Sequence, residues 1–191
     1  MNSKLKNIIK YDIYRYYGTY SIPFIEKILP YNMGLKYIIA YRKANFYQKN
    51  KSIKRFYYVY KLKKMSLKLG FQIHSSTKIG YGFYLGHIGN TIVNPKCVIG
   101  NKVNLAQGVT LGAHVRGKRE GCPTIGNMVY IGANAVIVGK VTIGNNVMIA
   151  PNAFVNFDVP DNSIVIGNPG KIIYSNDATK GFFVYPIKEN V

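Results

Sequence analysis

The run Ile125-Gly126-Asn127-Met128-Val129-Tyr130-Ile131-Gly132-Ala133-Asn134-Ala135-Val136-Ile137 sets an isoleucine at every sixth position. The spacing continues through Ile143, Ile149 and Val155. It recurs upstream in two further groups, Val93, Ile99, Leu105, Leu111 and Ile73, Ile79, Leu85. All thirteen positions are Ile, Leu or Val. The next residue is usually Gly or Ala, and four residues after the aliphatic stands a second small or β-branched side chain, as at Val129, Ala135, Val141 and Val147.

A six-residue period fits neither a 3.6-residue helix nor plain strand alternation. It predicts an all-β solenoid in which each hexapeptide is one short strand and a turn, with the aliphatic stacked inward on its counterpart one coil away. Three such faces close one coil, so Leu111, Ile125 and Ile131 belong together, and Ile137, Ile143 and Ile149 form the next coil. Gly after the aliphatic is expected to let the backbone bend, and Asn101, Asn127 and Asn145 to take positive φ at the turns. Because the repeats bury their own core, they are expected to need only a capped end.

Two interruptions break the period. Between Leu85 and Val93 two extra residues enter, in the run Gly86-His87-Ile88-Gly89-Asn90-Thr91. Between Leu111 and Ile125 eight enter, in the loop Ala113-His114-Val115-Arg116-Gly117-Lys118-Arg119-Glu120-Gly121-Cys122-Pro123. Insertions in a repeat array become excursions from a rigid body and commonly form its binding face.

The other segments are read from composition. Residues 1–70 lack the hexapeptide and read as helices: an apolar stripe from Leu5 stopped by Gly18, a short helix from about Pro23 to Leu29 ended by Pro30, and one or two helices between Leu35 and Leu69 with Asn50-Lys51-Ser52 a plausible break. Residues 71–173 are the solenoid, and residues 174–191 show no pattern and read as a loosely held tail. No run of eighteen apolar residues and no signal-peptide pattern appears, so a cytoplasmic protein is expected. Two cysteines, Cys97 in an inward slot and Cys122 in the long loop, fit a reducing compartment.

The formal charge of +19 is unevenly spread, with +14 of it in residues 1–70, where twelve of the seventeen tyrosines also lie. Tyr interleaved with Lys and Arg raises the question of nucleic acid, but no nucleic-acid motif accompanies it, and that partner is not expected. Packing of the tyrosines between helices is one reading. Attachment to an anionic membrane surface, peripheral on its inner face, is another.

Three histidines are available for chemistry. His74 follows the first inward aliphatic and suits a turn. His87 stands on the first interruption, where an imidazole can serve as a general base or can simply face solvent. His114 lies in the basic loop, which can bind an anion or be solvated. The spacings among the three match no local metal-ligand motif, so no metal is expected. No Ser-His-Asp pattern, phosphate loop or dinucleotide fingerprint is present.

The chain resembles the hexapeptide-repeat acyltransferases, left-handed parallel β-helices that usually form trimers. The likeness rests on Ile73-His74-Ser75, Leu85-Gly86-His87, Leu105-Ala106-Gln107-Gly108-Val109-Thr110-Leu111-Gly112, Ile131-Gly132-Ala133, Val159-Pro160 and Gly167-Asn168-Pro169-Gly170-Lys171. Within that group it resembles the serine acetyltransferases and their relatives that O-acetylate capsular or lipopolysaccharide sugars, and in the run Arg116-Gly117-Lys118-Arg119-Glu120-Gly121-Cys122-Pro123 it is most similar to the latter, polysaccharide-modifying branch. The resemblance implies a homotrimer, acetyl-CoA as donor and His87 as general base. It places Ala113, Ala133 and Pro151 along the pantetheine path and Lys171 near the phosphates. Asn90, His114, Arg116 and Cys122, all on the two interruptions, are the expected acceptor contacts.

Two departures bear on the acceptor. Serine acetyltransferases carry Asp before the catalytic His, where this chain has Gly86, and Arg-His-Pro in the loop, where it has Gly121-Cys122-Pro123. A serine carboxylate would lose its charged partner there, which is costly. The expected acceptor is therefore a sugar hydroxyl of a capsular or surface polysaccharide or its nucleotide-sugar or lipid-linked precursor. Serine O-acetylation for cysteine biosynthesis is the alternative, and a non-enzymatic solenoid binder is a third reading.

Overall fold

The computed structural model describes residues 2–28 and 31–187. Four helices come first: α1 (Ser3–Tyr17), α2 (Phe24–Ile28), α3 (Met33–Lys49) and α4 (Lys54–Leu69). The Asn2 side chain caps α1 by accepting from the Lys4 N–H, and Gly18 ends it in the left-handed conformation at φ 67. Gly70 ends α4 in the same way, at φ 77. The break between α3 and α4 falls at Asn50-Lys51-Ser52. The predicted stop of α2 at Leu29 and Pro30 lies outside the described residues.

Five coils follow. The first is β1 (Phe71–Ile73), β2 (Lys78–Ile79) and β3 (Tyr84–Leu85), and the second is β4 (Thr91–Val93), β5 (Val98–Ile99) and β6 (Asn104–Leu105). The third is β7 (Thr110–Gly112), β8 (Thr124–Ile125) and β9 (Val129–Ile131), and the fourth is β10 (Val136–Val138), β11 (Thr142–Ile143) and β12 (Val147–Ile149). The last holds β13 (Phe154–Val155) and β14 (Ser163–Ile166), on which β15 (Lys171–Tyr174) folds back antiparallel. Strands three apart in order, and β12 with β14, pair in parallel and make three sheets. The register stacks Ile79 on Ile99, Ile99 on Ile125 and Ile125 on Ile143, so the hexapeptide aliphatics form the predicted inward ladder.

The turns differ from expectation in one respect. Asn101, Asn127 and Asn145 do not take positive φ; the residue after each does, at Lys102 (φ 58), Met128 (φ 54) and Asn146 (φ 51). The asparagine amides instead link coils. The Asn101 N–H donates to Asn127 Oδ1 at 2.8 Å, the Asn127 N–H to Asn145 Oδ1 at 2.9 Å, and the Asn145 N–H to Asp161 Oδ1 at 2.7 Å. The preceding glycines are needed for close approach of coils rather than for bending. A Cβ at Gly80 or Gly126 would lie 2.5 Å from the next coil's carbonyl oxygen.

The helices do more than cap an end. Tyr37, Ile38, Tyr41, Ala44, Leu62 and Leu69 share one core with Phe71, Ile73 and Leu85, so the first coil is completed by α3 and α4. Polar anchors reinforce this packing. Asp12 and Arg42 form a fully buried pair at 2.7 Å; Asp12 also accepts from the Phe83 N–H, and Arg42 donates to the Ile79 carbonyl at 2.7 Å. The first coil therefore shares its core with the helices rather than burying it alone.

The tail is not loosely held over its described part. Thr179 donates to Asn146 Oδ1 at 2.6 Å, Phe182 packs on Tyr130 with ring centroids 4.6 Å apart, and the Phe182 carbonyl accepts from Asn104 at 3.3 Å. Tyr185 then lies against Gly18, and Ile187 against Gly82. The segment runs back down the β6–β9–β12 face from the fourth coil to the first.

Candidate active site

Three contacts position the first interruption. Tyr16 at the end of α1 donates its hydroxyl to the Leu85 carbonyl at 2.9 Å and accepts from the Leu85 N–H at 3.0 Å. The Gly89 N–H donates to the Leu69 carbonyl at the end of α4, at 3.1 Å, and the Thr91 N–H to the Gly70 carbonyl, also at 3.1 Å. His87 thus sits on a short exposed bulge whose two ends are tied to helices. Among the described residues its imidazole has no hydrogen-bond partner. At Gly86 an added Cβ would meet only the Tyr84 ring, at 3.5 Å, so crowding does not exclude the missing Asp.

His87, Gln107, Ala133 and Pro151 occupy the same position after the inward aliphatics of β3, β6, β9 and β12. They line a cleft of about 330 Å³ that runs up the solenoid corner, walled on one side by Tyr84, Asn104 and Tyr130 and roofed by Phe182 and Val184 of the tail. Small Ala133 and flat Pro151 leave the floor open. Arg15 of α1 also reaches this cleft. The sequence reading missed Arg15, Gln107 and Phe182. For Arg15 a signal existed: it belongs to α1, whose apolar stripe already carries the charged residue Asp12.

The other expected contacts are placed elsewhere in the single chain. Ala113 follows β7, at a different corner, and Lys171 opens the antiparallel β15. Asn90 is exposed on the same interruption as His87 but does not line the cleft. The long loop folds as a hairpin: His114 and Gly121 exchange two backbone hydrogen bonds, each 2.9 Å. The Arg116 carbonyl sits 2.9 Å from His114 Nδ1, and a carbonyl can only accept, so Nδ1 carries the proton. His114 and Arg116 line a separate depression with Lys118 and Arg119. His74 serves its turn, its Nδ1 accepting from the Ser76 N–H at 3.1 Å.

Cys122, an expected acceptor contact, also lies outside the His87 cleft. It is half-buried and packs against the solenoid core. It also faces Cys97, whose thiol is pushed up to about 12, first by burial and then by this neighbour. Gly121 is consumed by the hairpin. The missing charges at Gly121 and Cys122 therefore say little about what the His87 cleft can hold.

The family described as bacterial transferase hexapeptide (six repeats) matches residues 122–156. A serine acetyltransferase of Bacillus licheniformis is 35% identical over 154 residues, covering 80% of this chain and 69% of its own. The structure of Neisseria gonorrhoeae serine acetyltransferase matches with a TM-score of 0.74 at 30% identity, over 91% of this chain and 67% of that one. A serine acetyltransferase solved in complex with CoA matches with a TM-score of 0.74 at 27% identity, over 90% and 71% of the two chains.

These relatives overturn the expectation of a polysaccharide O-acetyltransferase acting on a sugar hydroxyl, and with it the placement in the capsular and lipopolysaccharide branch. That expectation leaned on Gly86, Gly121 and Cys122; the structure shows Gly121 closed into a hairpin and Cys122 packed in part against the core, while Gly86 has room for a side chain. The chain belongs to the serine acetyltransferase family, as a hexapeptide-repeat acyltransferase whose donor is acetyl-CoA.

Proposed function

We propose that the protein is a serine O-acetyltransferase, which moves the acetyl group of acetyl-CoA onto the hydroxyl of L-serine and so supplies an activated precursor for cysteine biosynthesis. The observation that carries this is the 35% identity over 154 residues to a serine acetyltransferase. His87 at the head of the Ala133–Pro151 cleft fits that chemistry. Its neutral imidazole takes the hydroxyl proton as the serine oxygen attacks the thioester carbonyl. The tetrahedral intermediate collapses by breaking the carbon–sulfur bond, and the CoA thiolate takes the proton back from the imidazolium. Ala133 and Pro151 leave room for the pantetheine arm.

Ala113, His114 and Arg116 lie away from the His87 cleft of their own chain and would reach its ligands from a neighbouring copy, the arrangement of a homotrimer with sites between subunits. The test is thiol release from acetyl-CoA with L-serine, with the product identified as O-acetylserine and the mass measured by light scattering. Absence of O-acetylserine at millimolar serine overturns the reading.

A separate observation favours a membrane-surface role for the helices. On α4, Phe56, Tyr57, Tyr60 and Leu67 are each more than half exposed, and Lys61, Lys63, Lys64 and Lys68 flank them. Apolar side chains bordered by lysines suit the headgroup level of an anionic bilayer. Among the described residues no helix is long and apolar enough to cross one. Sedimentation with anionic vesicles, lost in neutral vesicles and at high salt, is the expected result. Equal binding to both lipids counts against it.

A further inference from the structure

Arg15 is 2% exposed, yet among the described residues no carboxylate is paired with it. One terminal nitrogen donates to the Gly82 carbonyl at 3.1 Å and the other to Asn104 Oδ1 at 2.7 Å, while its Nε–H has no partner. The acid nearest along α1, Asp12, is taken: Arg42 holds both its oxygens, at 2.7 and 3.1 Å, and the Phe83 N–H adds a third bond at 3.0 Å. Burial lowers the Arg15 pKa to about 10, still high enough for the guanidinium to be charged near neutral pH. Aromatic rings cover part of it, with the Phe183 centroid 4.7 Å and the Tyr84 centroid 6.0 Å from Cζ, and Asp12 is near enough to favour its charge. Yet a buried cation whose Nε–H has no partner is costly to keep unless something anionic completes it.

The place of this charge narrows what that anion is. Arg15 lines the cleft that holds His87, and its partners Gly82 and Asn104 belong to the first and second coils, the His87 end. Ala133 and Pro151 lie farther up the column, on the third and fourth coils. A donor whose thioester is at His87 and whose pantetheine passes Ala133 and Pro151 carries its phosphates away from Arg15. The anion that must sit near His87 is the one on the acceptor.

We infer that Arg15 holds the carboxylate of the acceptor amino acid, in the cleft it shares with His87. The inference rests on the serine reading above, and it answers the objection raised by Gly121 and Cys122: the cation comes from α1 rather than from the long loop. A guanidinium fixed by Gly82 and Asn104 still has three N–H donors, its unpartnered Nε–H among them, with which to meet a carboxylate. A site built around such a group rejects an analogue that lacks the charge far more strongly than it rejects a small change in size.

The test compares L-serine with neutral L-serinamide as acceptors for the unaltered protein, Arg15→Met and Arg15→Lys. The unaltered protein is expected to favour serine in kcat/KM by ~10²-fold or more, because a desolvated charge pair is lost with the amide. Arg15→Met should raise the KM for serine by a similar factor, leave the KM for acetyl-CoA within about threefold and keep its turnover of serinamide, with Arg15→Lys falling between. Equal use of the two acceptors by the unaltered protein overturns the inference even if Arg15→Met does not fold. A rise confined to the acetyl-CoA KM overturns it too, since the anion would then be a donor phosphate. Failure of the unaltered protein to acetylate either acceptor sinks the serine reading itself.

Discussion

The phenol of Tyr16 closes both backbone polar groups of Leu85, donating to the carbonyl at 2.9 Å and accepting from the N–H at 3.0 Å. Leu85 ends β3, two residues before His87, so one helix side chain sets the register from which the bulge departs. Tyr16 is half-buried, and desolvation of its hydroxyl raises its pKa well above the ordinary phenol value, so it stays a neutral donor near neutral pH. Tyr16→Phe leaves both groups of Leu85 without a partner, which costs about 1–3 kcal/mol. A lower Tm with a larger fall in kcat than in acetyl-CoA affinity is expected; unchanged kcat would show that the bulge is positioned without this bond.

His87→Ala should leave the fold intact, since the side chain is exposed and lies outside the aliphatic ladder. Loss of a general base costs ~10²–10⁴ in kcat. Affinity for acetyl-CoA, measured by calorimetry, should stay within a few-fold, because the cleft floor at Ala133 and Pro151 is untouched. Near-normal turnover would remove His87 from the mechanism.

Residues 71–187 without the helices should fail to fold on their own. Leu85, Phe71 and Ile73 would lose the cover of Tyr37, Tyr41 and Leu62. A milder version of the same test is Asp12→Ala, which strands Arg42 in the interior. Breaking a buried pair from one side costs about 3–5 kcal/mol, to be read by denaturant unfolding. A soluble, cooperatively melting fragment would refute the shared core.

Asp158 ties the long loop to the last coil, accepting from the Thr142 N–H at 2.7 Å and pairing with Arg119 at 3.3 Å. The Thr142 bond first, then Arg119, holds its carboxyl below the ordinary value of 3.8. A depressed carboxylate contributes stability that is present above the unfolded value and lost as pH falls through the folded one. Both groups are largely exposed, so the effect on global stability is small. Hydrogen exchange at residues 114–121, corrected for intrinsic rates, should quicken below about pH 4. Asp158→Asn should exchange fast throughout, and an unchanged pH profile in that variant would assign the effect elsewhere.

The ladder from Ile73 to Val155 was legible because a period of six states both the strand and its face. Other features depended on partners distant in the chain. The roles of Asn101, Asn127 and Asn145 were misjudged because composition marks a turn without saying which residue takes positive φ. Cys122 looked like a loop residue until Cys97 and the hairpin placed it inward. Arg15 was one of sixteen basic residues before Leu69, and only the packing of α1 on β3 and β6 shows that it is buried. The tail carries no repeat because each of its contacts is with a different coil.

That returning tail also alters how the molecule comes apart. An array of coils linked only to their neighbours frays from its ends, one unit at a time. Here the strap leaves the far end and is fastened again beside Gly18 and Gly82, so neither end can loosen without disturbing the other. A linear stack is thereby joined into a loop, and such a molecule should lose its structure in one cooperative step rather than by peeling.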